Sequence, residues 1–442
     1  MIRRKALEDQ LISSKENGFI KILTGLRRSG KSYLLFNIFK NRLLKDGVQP
    51  DHIIEINLEH PTSARLLDPI ELDKHIRSKI KGDGKTTFVL IDEIQYCGKS
   101  LPKDIDLSTI HPDDRERMFV DFYRVLNGLR TTPHVDVYVT GSNSRMLSTD
   151  VATEFRGRGQ VVHVTPLSFA EVSAFREDAA NSLSLLQDYL RFGGLPECVL
   201  MTSDVEKQEY LKNLYETIYV RDVMERNKLK NEFLLEKVID MTMSSVGSLT
   251  NPTKLANAIQ SVAGVKTNQP IIAKYLKVLE DAMLIERASR YDVKGRHYLD
   301  YPSKYYATDP GLRNARLNFR QFEPTHLMEN VIYNELRRRG YSVDVGVVPI
   351  GSNKTGKHEI RQCEIDFVVN DGPRQIYVQS AYAIPDEAKR EQETLSLRRS
   401  GNAFKKVVVT NDPFQTRTYD DDGIAYIGLA DFLLHPDSLA SL

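Results

Sequence analysis

Apolar residues along this chain fall into two patterns, solid short runs and stripes spaced three and four apart. FIKILT (19–24), HIIEINLE (52–59), TTFVLIDEIQ (86–95), HVDVYVTGSNS (134–144) and QVVHVTPLSF (160–169) are compact runs rich in β-branched residues. Such runs predict strands buried on both faces of a parallel sheet. SYLLFNIFKNRLLKDG (32–47) carries a helical stripe that closes on Gly47. Further on, SLTNPTKLANAIQSVAG and TNQPIIAKYLKVLEDAMLIERASRYD each place an asparagine (Asn251, Asn268) just before a short stripe, with a proline in the first turn. That device predicts two short capped helices followed by strands. The last third reads as an amphipathic helix ending on Gly340 (HLMENVIYNELRRRG). Four strands follow (YSVDVGVV, EIRQCEIDFVV, RQIYVQSAYAI, KKVVVT), with the helix DEAKREQETLSLRR before the last of them.

At 442 residues the chain is too long for one ordinary core. Hydrophobic residues make up 41% and charged residues 27%, the balance of a globular chain. A net charge of +1 announces no global field for nucleic acid, so any such surface must be a local cluster. Cys97, Cys198 and Cys363 lie far apart without metal-ligand spacing, which fits a reducing cytosol. MIRRKALEDQ lacks the apolar stretch of a signal peptide, and no apolar run approaches the ~20 residues of a membrane helix. A cytoplasmic protein with no membrane partner is expected.

The chemistry concentrates where the runs end. Gly25, Gly30, Lys31 and Ser32 meet the G-x4-G-K-S pattern between a predicted strand and a predicted helix. Glycines there let backbone N–H groups turn toward phosphate oxygens. Lys31 would reach the β- and γ-phosphates and Ser32 would ligate magnesium. TTFVLIDEIQ delivers Asp92 and Glu93 to the end of a buried strand: Asp92 to hold magnesium through water, Glu93 to orient and polarise the attacking water. HIIEINLE, between the two, gives the order of the additional-strand ATPases. Ser142 or Asn143, ending the fourth strand, would read the γ-phosphate. Arg145, Arg156 and Arg158 are candidate arginine fingers, in cis or toward a neighbouring subunit, with plain surface charge as the alternative.

Taken together, GLRRSGKS, LIDEIQ, VTGSNSRML, FRGRG with VTPLSFAE, and YLRFGGLPE resemble the prokaryotic ATPases of the extended AAA+/signal-transduction group, with their uncharacterised C-terminal domain. The resemblance implies an ATP site built from Gly25, Arg27, Arg28, Ser29, Gly30, Lys31, Ser32, Tyr33 and Asp92. It also implies a helical lid in which Arg191 and its Gly-Gly-Leu-Pro turn couple lid position to the bound nucleotide. The charged stretch 98–118 departs from the family pattern and reads as an insertion.

The two capped helices and their strands match a winged helix-turn-helix, with Gln269, Lys274 and Lys277 placed toward DNA. The final segment resembles the restriction-endonuclease-like fold, which implies a second metal site at Glu329, Asp366 and Gln379. Ala381 stands where that chemistry needs a water-activating lysine, unless Lys389 moves in from its helix. Cleavage is therefore not expected. Arg337, Arg338, Arg339, Arg398 and Arg399 remain either a grip for a phosphate backbone or solvated helix ends.

The reading is an α/β P-loop additional-strand ATPase core (1–175), a helical lid (176–230), a winged helix (231–295) and a nuclease-like α/β domain (296–442). Its cofactors are ATP and Mg2+. Two uses of the nucleotide stay open: coupling to DNA through the C-terminal half, or a regulatory switch working on a protein partner or on oligomeric state, with the tail as scaffold.

Overall fold

A computed structural model describes residues 2–141, 155, 157–176, 182–220, 223–224, 227, 229, 231–352, 359–372 and 374–442. The chain divides into two compact units, Met1–Thr165 and Pro166–Leu442.

In the first unit the five solid runs become β1 (Ile20–Thr24), β2 (Ile53–Asn57), β3 (Thr87–Asp92), β4 (Val135–Gly141) and β5 (Gly159–His163). All pair in parallel, in the order β2-β3-β4-β1-β5. Alternate side chains leave opposite faces of a strand, so each run feeds two cores. Ile22, Val89, Ile91, Val137 and Val139 pack with Leu72, Ile76 and Leu126 on one face. Leu23, Phe88, Leu90 and Tyr138 pack with Leu34, Leu35 and Phe39 of the helix after β1 on the other. Because the strands run parallel, the ends of β1, β3 and β4 share one edge. β4 lies between β1 and β3, which separates the glycine-rich loop from the acidic strand by about 10 Å, two strand spacings. The 98–118 insertion folds as an excursion closed by pairing of Lys99–Ser100 with Val120–Asp121.

A buried ion pair sits within this sheet. Lys21 of β1 is fully buried and bonds Asp136 of β4, which also accepts from the Tyr138 hydroxyl (3.0 Å) and the Glu16 backbone N–H (3.0 Å). Burial pulls the Lys21 pKa below its ordinary value, and Asp136 opposes that pull.

In the second unit three helices, Glu232–Ser244, Pro252–Ala263 and Gln269–Asp281, are each capped by an asparagine side chain (Asn231, Asn251, Asn268) accepting a first-turn N–H. The hairpin β6 (Ile285–Asp292) and β7 (His297–Ala307) follows, and Ser303 of β7 bridges back to Thr250 before the second helix. After the helix Pro324–Arg338 come β8 (Ser342–Ser352), β9 (Glu359–Asp371), β10 (Arg374–Ala381), β11 (Lys405–Thr410), β12 (Thr418–Tyr419) and β13 (Ala425–Gly428). These and the hairpin form one eight-stranded mixed sheet, β12-β13-β11-β10-β9-β8-β6-β7. β6 joins it in parallel to β8, Val345 opposite Arg290. The expected boundary at 295/296 thus falls in the turn of a hairpin whose two strands share this sheet. No described helix is long and apolar enough to cross a membrane.

Asp136→Ala leaves the Lys21 ammonium buried without its carboxylate, and the expected cost is about 3–5 kcal/mol. Chemical denaturation of the full chain measures it; a loss below 1 kcal/mol would mean that water reaches Lys21.

Candidate nucleotide site

The loop after β1 is shaped by glycine where glycine is needed. A Cβ on Gly25 would lie 2.1 Å from the Val164 carbonyl oxygen, so only a bare backbone passes there. Gly30 takes a left-handed conformation (φ 92°) and opens the helix at Lys31. Arg28 is also left-handed (φ 66°), which folds the loop back over β1. Lys31 is buried, its ammonium donating to the carbonyls of Gly25 (3.1 Å) and Leu26 (3.0 Å). The Ser29 hydroxyl is buried with no hydrogen-bond partner among the described residues. Arg27 approaches Glu59 (4.0 Å), and Tyr33 is exposed.

The acidic strand arrives alongside. Ser32 donates to Asp92 Oδ1 (2.9 Å), and the Thr140 hydroxyl at the end of β4 donates to the same oxygen. Burial raises the Asp92 pKa, while the Thr140 and Ser32 hydrogen bonds hold it down. Glu93 is left-handed (φ 55°), an unfavourable state for a side chain of its kind, and its backbone N–H is caught by Thr140 Oγ1 (3.0 Å). Its carboxylate contacts the Gln95 amide. Thr140 therefore positions both acids. Arg4 supports the loop from the other side, donating to the carbonyls of Ser29 (3.2 Å) and Thr165 (2.9 Å). A cluster of hard oxygens beside an orphaned hydroxyl and a lysine folded onto backbone carbonyls fits a magnesium–phosphate group.

Residues 25, 30, 31, 32, 92 and 93 thus lie at one edge of the sheet. Ser142, Asn143, Arg145 and Arg156 lie outside the described residues. Arg158 does not come to this edge: its carbonyl accepts from Ile20 at the start of β1, the opposite edge of the sheet. Arg191, in the second unit, pairs with Asp204 (3.2 Å). Gly193 and Gly194, its neighbours, pack instead on the buried Asp309, which accepts the Gly194 N–H (2.8 Å).

In the second unit Glu329, Asp366 and Gln379 also converge. The Asp366 backbone N–H faces Gln379 Oε1 (3.4 Å), and Asp366 Oδ2 accepts the Ser380 N–H (2.9 Å). Between the acids lies a residue the sequence reading missed, Lys304 of β7, within 2.8 Å of Glu329, 2.6 Å of Glu364 and 3.5 Å of Asp366. Burial and the Glu329 charge raise the Asp366 pKa, and the Lys304 ammonium opposes that rise. Lys389 stays on its helix, paired with Glu393 (2.6 Å). Among the described residues no group of three or more His, Cys, Asp or Glu is disposed to hold a metal ion. Near the expected DNA-facing helix, Gln269 and Lys274 are exposed, and Lys277 pairs with Asp281 (2.9 Å).

The parallel sheet with its glycine loop and neighbouring acidic strand defines a P-loop α/β core of the AAA type. Residues 17–173 match a family model described as an AAA domain, and residues 183–323 one described as a domain of unknown function. The chain is 32% identical over 437 residues to an uncharacterized protein of Haemophilus influenzae, covering 98% of this chain and 99% of that one. It belongs to the family of that protein. An uncharacterized protein of Methanocaldococcus jannaschii is 28% identical over 436 residues, covering 96% of this chain and 87% of the relative. Among solved structures, a Walker-type ATPase of Pyrococcus abyssi is 16% identical, with a TM-score of 0.47 over 72% of this chain and 96% of that one.

Thr140→Val keeps shape but removes both the donor to Asp92 and the acceptor for Glu93. At roughly 0.5–1.5 kcal/mol for each hydrogen bond, ATP turnover should fall about 10- to 100-fold with nucleotide affinity changed far less. Steady-state kinetics beside a fluorescent-nucleotide titration measures the split; equal losses in both would make Thr140 a binding residue.

Proposed function

We propose that this protein is a magnesium-dependent ATPase whose nucleotide state governs DNA binding by its second half. The observation that carries the ATPase reading is the meeting of Ser32, Asp92, Thr140 and Glu93 beside the Lys31 loop. Lys31 exchanges the Gly25 and Leu26 carbonyls for the β- and γ-phosphates, a better partner for an ammonium than neutral carbonyls. Ser32 and Asp92 are the residues to hold magnesium, which neutralises charge on the phosphates. Glu93, fixed in its left-handed turn, faces the attacking water and takes its proton as the γ-phosphate leaves. Gly25, Arg27, Arg28, Ser29, Gly30 and Tyr33 complete the nucleotide set, with Ser142 or Asn143 reading the γ-phosphate. Arg158 serves only as a finger toward a second copy, because its own strand begins at the far edge of the sheet.

The DNA reading rests on the three asparagine-capped helices and hairpin at 232–307, the element order of a winged helix, with Gln269 and Lys274 exposed on the third helix. One observation favours the alternative, a switch acting on a protein partner with a degenerate nuclease-like tail. Four of the five arginines expected to grip phosphate are engaged by acids: Arg337 by Glu286, Arg338 and Arg339 by Glu335, Arg398 by Asp420 and Asp422; Arg399 is exposed.

Lys31→Ala should abolish ATP binding, whereas Glu93→Gln should retain it and lose turnover by at least tenfold. A Glu93→Gln chain that turns over normally would remove Glu93 as the base. ATP turnover with and without duplex DNA, repeated across a salt series, separates the two uses. Stimulation that falls steeply with salt supports DNA, because phosphate contacts release counterions; turnover indifferent to DNA supports the switch.

A further inference from the structure

The carboxylates of the nuclease-like sheet already hold a cation, and it comes from the chain itself. Glu329 sits on the helix Pro324–Arg338, while Glu364 and Asp366 are two apart on β9 and so share a face. The Lys304 ammonium lies between all three at 2.8, 2.6 and 3.5 Å. An ammonium has three N–H bonds and no lone pair, so three carboxylates use its full donor capacity. Two of the acids accept a further hydrogen bond. Tyr306, on the same face of β7 as Lys304, donates its hydroxyl to Glu329 Oε1 (2.7 Å), and Asp366 Oδ2 accepts the Ser380 N–H (2.9 Å). Lys304 is 3% exposed, so its head has no route to solvent in this arrangement.

We infer that Lys304 fills from within the chain the place that a divalent cation takes among such carboxylates. The Glu329–Glu364–Asp366 cluster is then a metal-free ion-pair node that fastens the β6–β7 hairpin to the nuclease-like sheet and cuts no phosphodiester. A magnesium ion needs oxygens at about 2.1 Å around a common centre, and the ammonium nitrogen stands at that centre. Phosphodiester hydrolysis also needs a group to take the proton of the attacking water. A protonated lysine with its three N–H bonds engaged does not take it, and the position on β10 that would hold a second lysine is Ala381, buried in the core. The node has a mechanical consequence. Lys304 lies one residue past Ser303, the residue bridged to Thr250, so the same strand segment is tied to the helices on one side and to the carboxylates on the other. This inference is independent of the phosphate loop and stands or falls without reference to ATP turnover.

Terbium luminescence tests it on the nucleotide-free full chain, with Tyr306 beside Glu329 as the sensitising ring. Wild-type protein should give no emission that Asp366→Asn removes. Lys304→Met empties the centre and leaves three facing carboxylates. That variant should gain emission several-fold over wild type, unfold at lower temperature, and recover its midpoint when Mg2+ is added, with wild-type stability insensitive to Mg2+. Wild-type emission abolished by Asp366→Asn, or Mg2+-dependent DNA cutting abolished by the same change, would overturn the inference. So would a folded Lys304→Met chain that gains no emission. If Lys304→Met does not fold, the comparison of wild type with Asp366→Asn decides alone.

Discussion

The phosphate loop depends on one close approach, the backbone of Gly25 against the carbonyl of Val164. β1 and β5 are neighbours, and the Val164 N–H donates to the Thr24 carbonyl (2.7 Å), so the two chains leave the sheet edge in contact. A side chain at residue 25 would meet that carbonyl at 2.1 Å and push the loop off its strand. With glycine the chain turns at once, passes through left-handed Arg28 and Gly30, and starts a helix whose first residues are Lys31 and Ser32. Ser32 then meets Asp92 although β4 lies between their strands. The Arg4 guanidinium, reaching the Ser29 carbonyl, holds the same turn from the N-terminal segment. The sheet edge and Arg4 hold this geometry from outside, and the Lys31 ammonium and the Ser29 N–H, bonded to carbonyls of the loop, hold it from within.

A second theme is how this chain treats buried cations. Lys21, Lys31, Lys304 and Arg313 are all buried, and each is surrounded by oxygen. Their partners differ in kind, and the difference tracks role. Lys21 faces Asp136, and Lys304 faces three carboxylates, pairings that are costly to break because an uncompensated charge remains. Arg313 is spread over the Met243 and Gln321 carbonyls and Glu323, which ties a helix to distant segments. Lys31 donates to two carbonyls of its own loop, Gly25 and Leu26, at the place where the loop turns into its helix. Lys21, Lys304 and Arg313 pin the architecture, whereas Lys31 sits in the loop that the proposed reading gives to phosphate.

Much of this was legible from the chain. The five apolar runs became the five parallel strands because apolar, β-branched residues dominate each of them even where Lys21, Glu55 or Asp136 interrupts, and the glycine-lysine-serine turn fell where a strand meets a helix. The asparagine caps were legible for the same local reason. Arg4 was not, since its partners are 25 and 161 residues away and no spacing links them. Thr140 left a signal that Ser142 and Asn143 obscured: it is the last side chain of a buried strand, directly before Gly141. Lys304 left one too. It is a lone lysine in the aromatic stretch YPSKYYA, on the same face as Tyr306, where strand alternation makes a charge anomalous. The hairpin's membership of the large sheet was hidden because β6 pairs with a strand more than fifty residues later, and helix-then-strand punctuation favoured a boundary in its turn.

The same accounting bears on what the second half can grip. A phosphate backbone is bound by cations whose charge is not already neutralised nearby. Arg339 is spent on Glu335 and on the Phe432 ring and carbonyl, so drawing it to DNA would break a buried pair. Arg337 and Arg398 have exposed or half-exposed acids as partners, which cost little to leave but gain little in exchange. Among the described residues, Lys274 on the third capped helix and Lys294 and Arg296 at the tip of the β6–β7 hairpin are exposed, as are Arg361, Arg374 and Arg399 in the C-terminal sheet and its helix. Helix and hairpin tip are the two elements by which a winged helix meets a duplex, so under the proposed DNA reading exposed cations are available both on the capped-helix module and on the C-terminal sheet. Lys304 ties the hairpin strand β7 to Glu329, Glu364 and Asp366, so those acids matter to the position of the hairpin without any chemistry of their own.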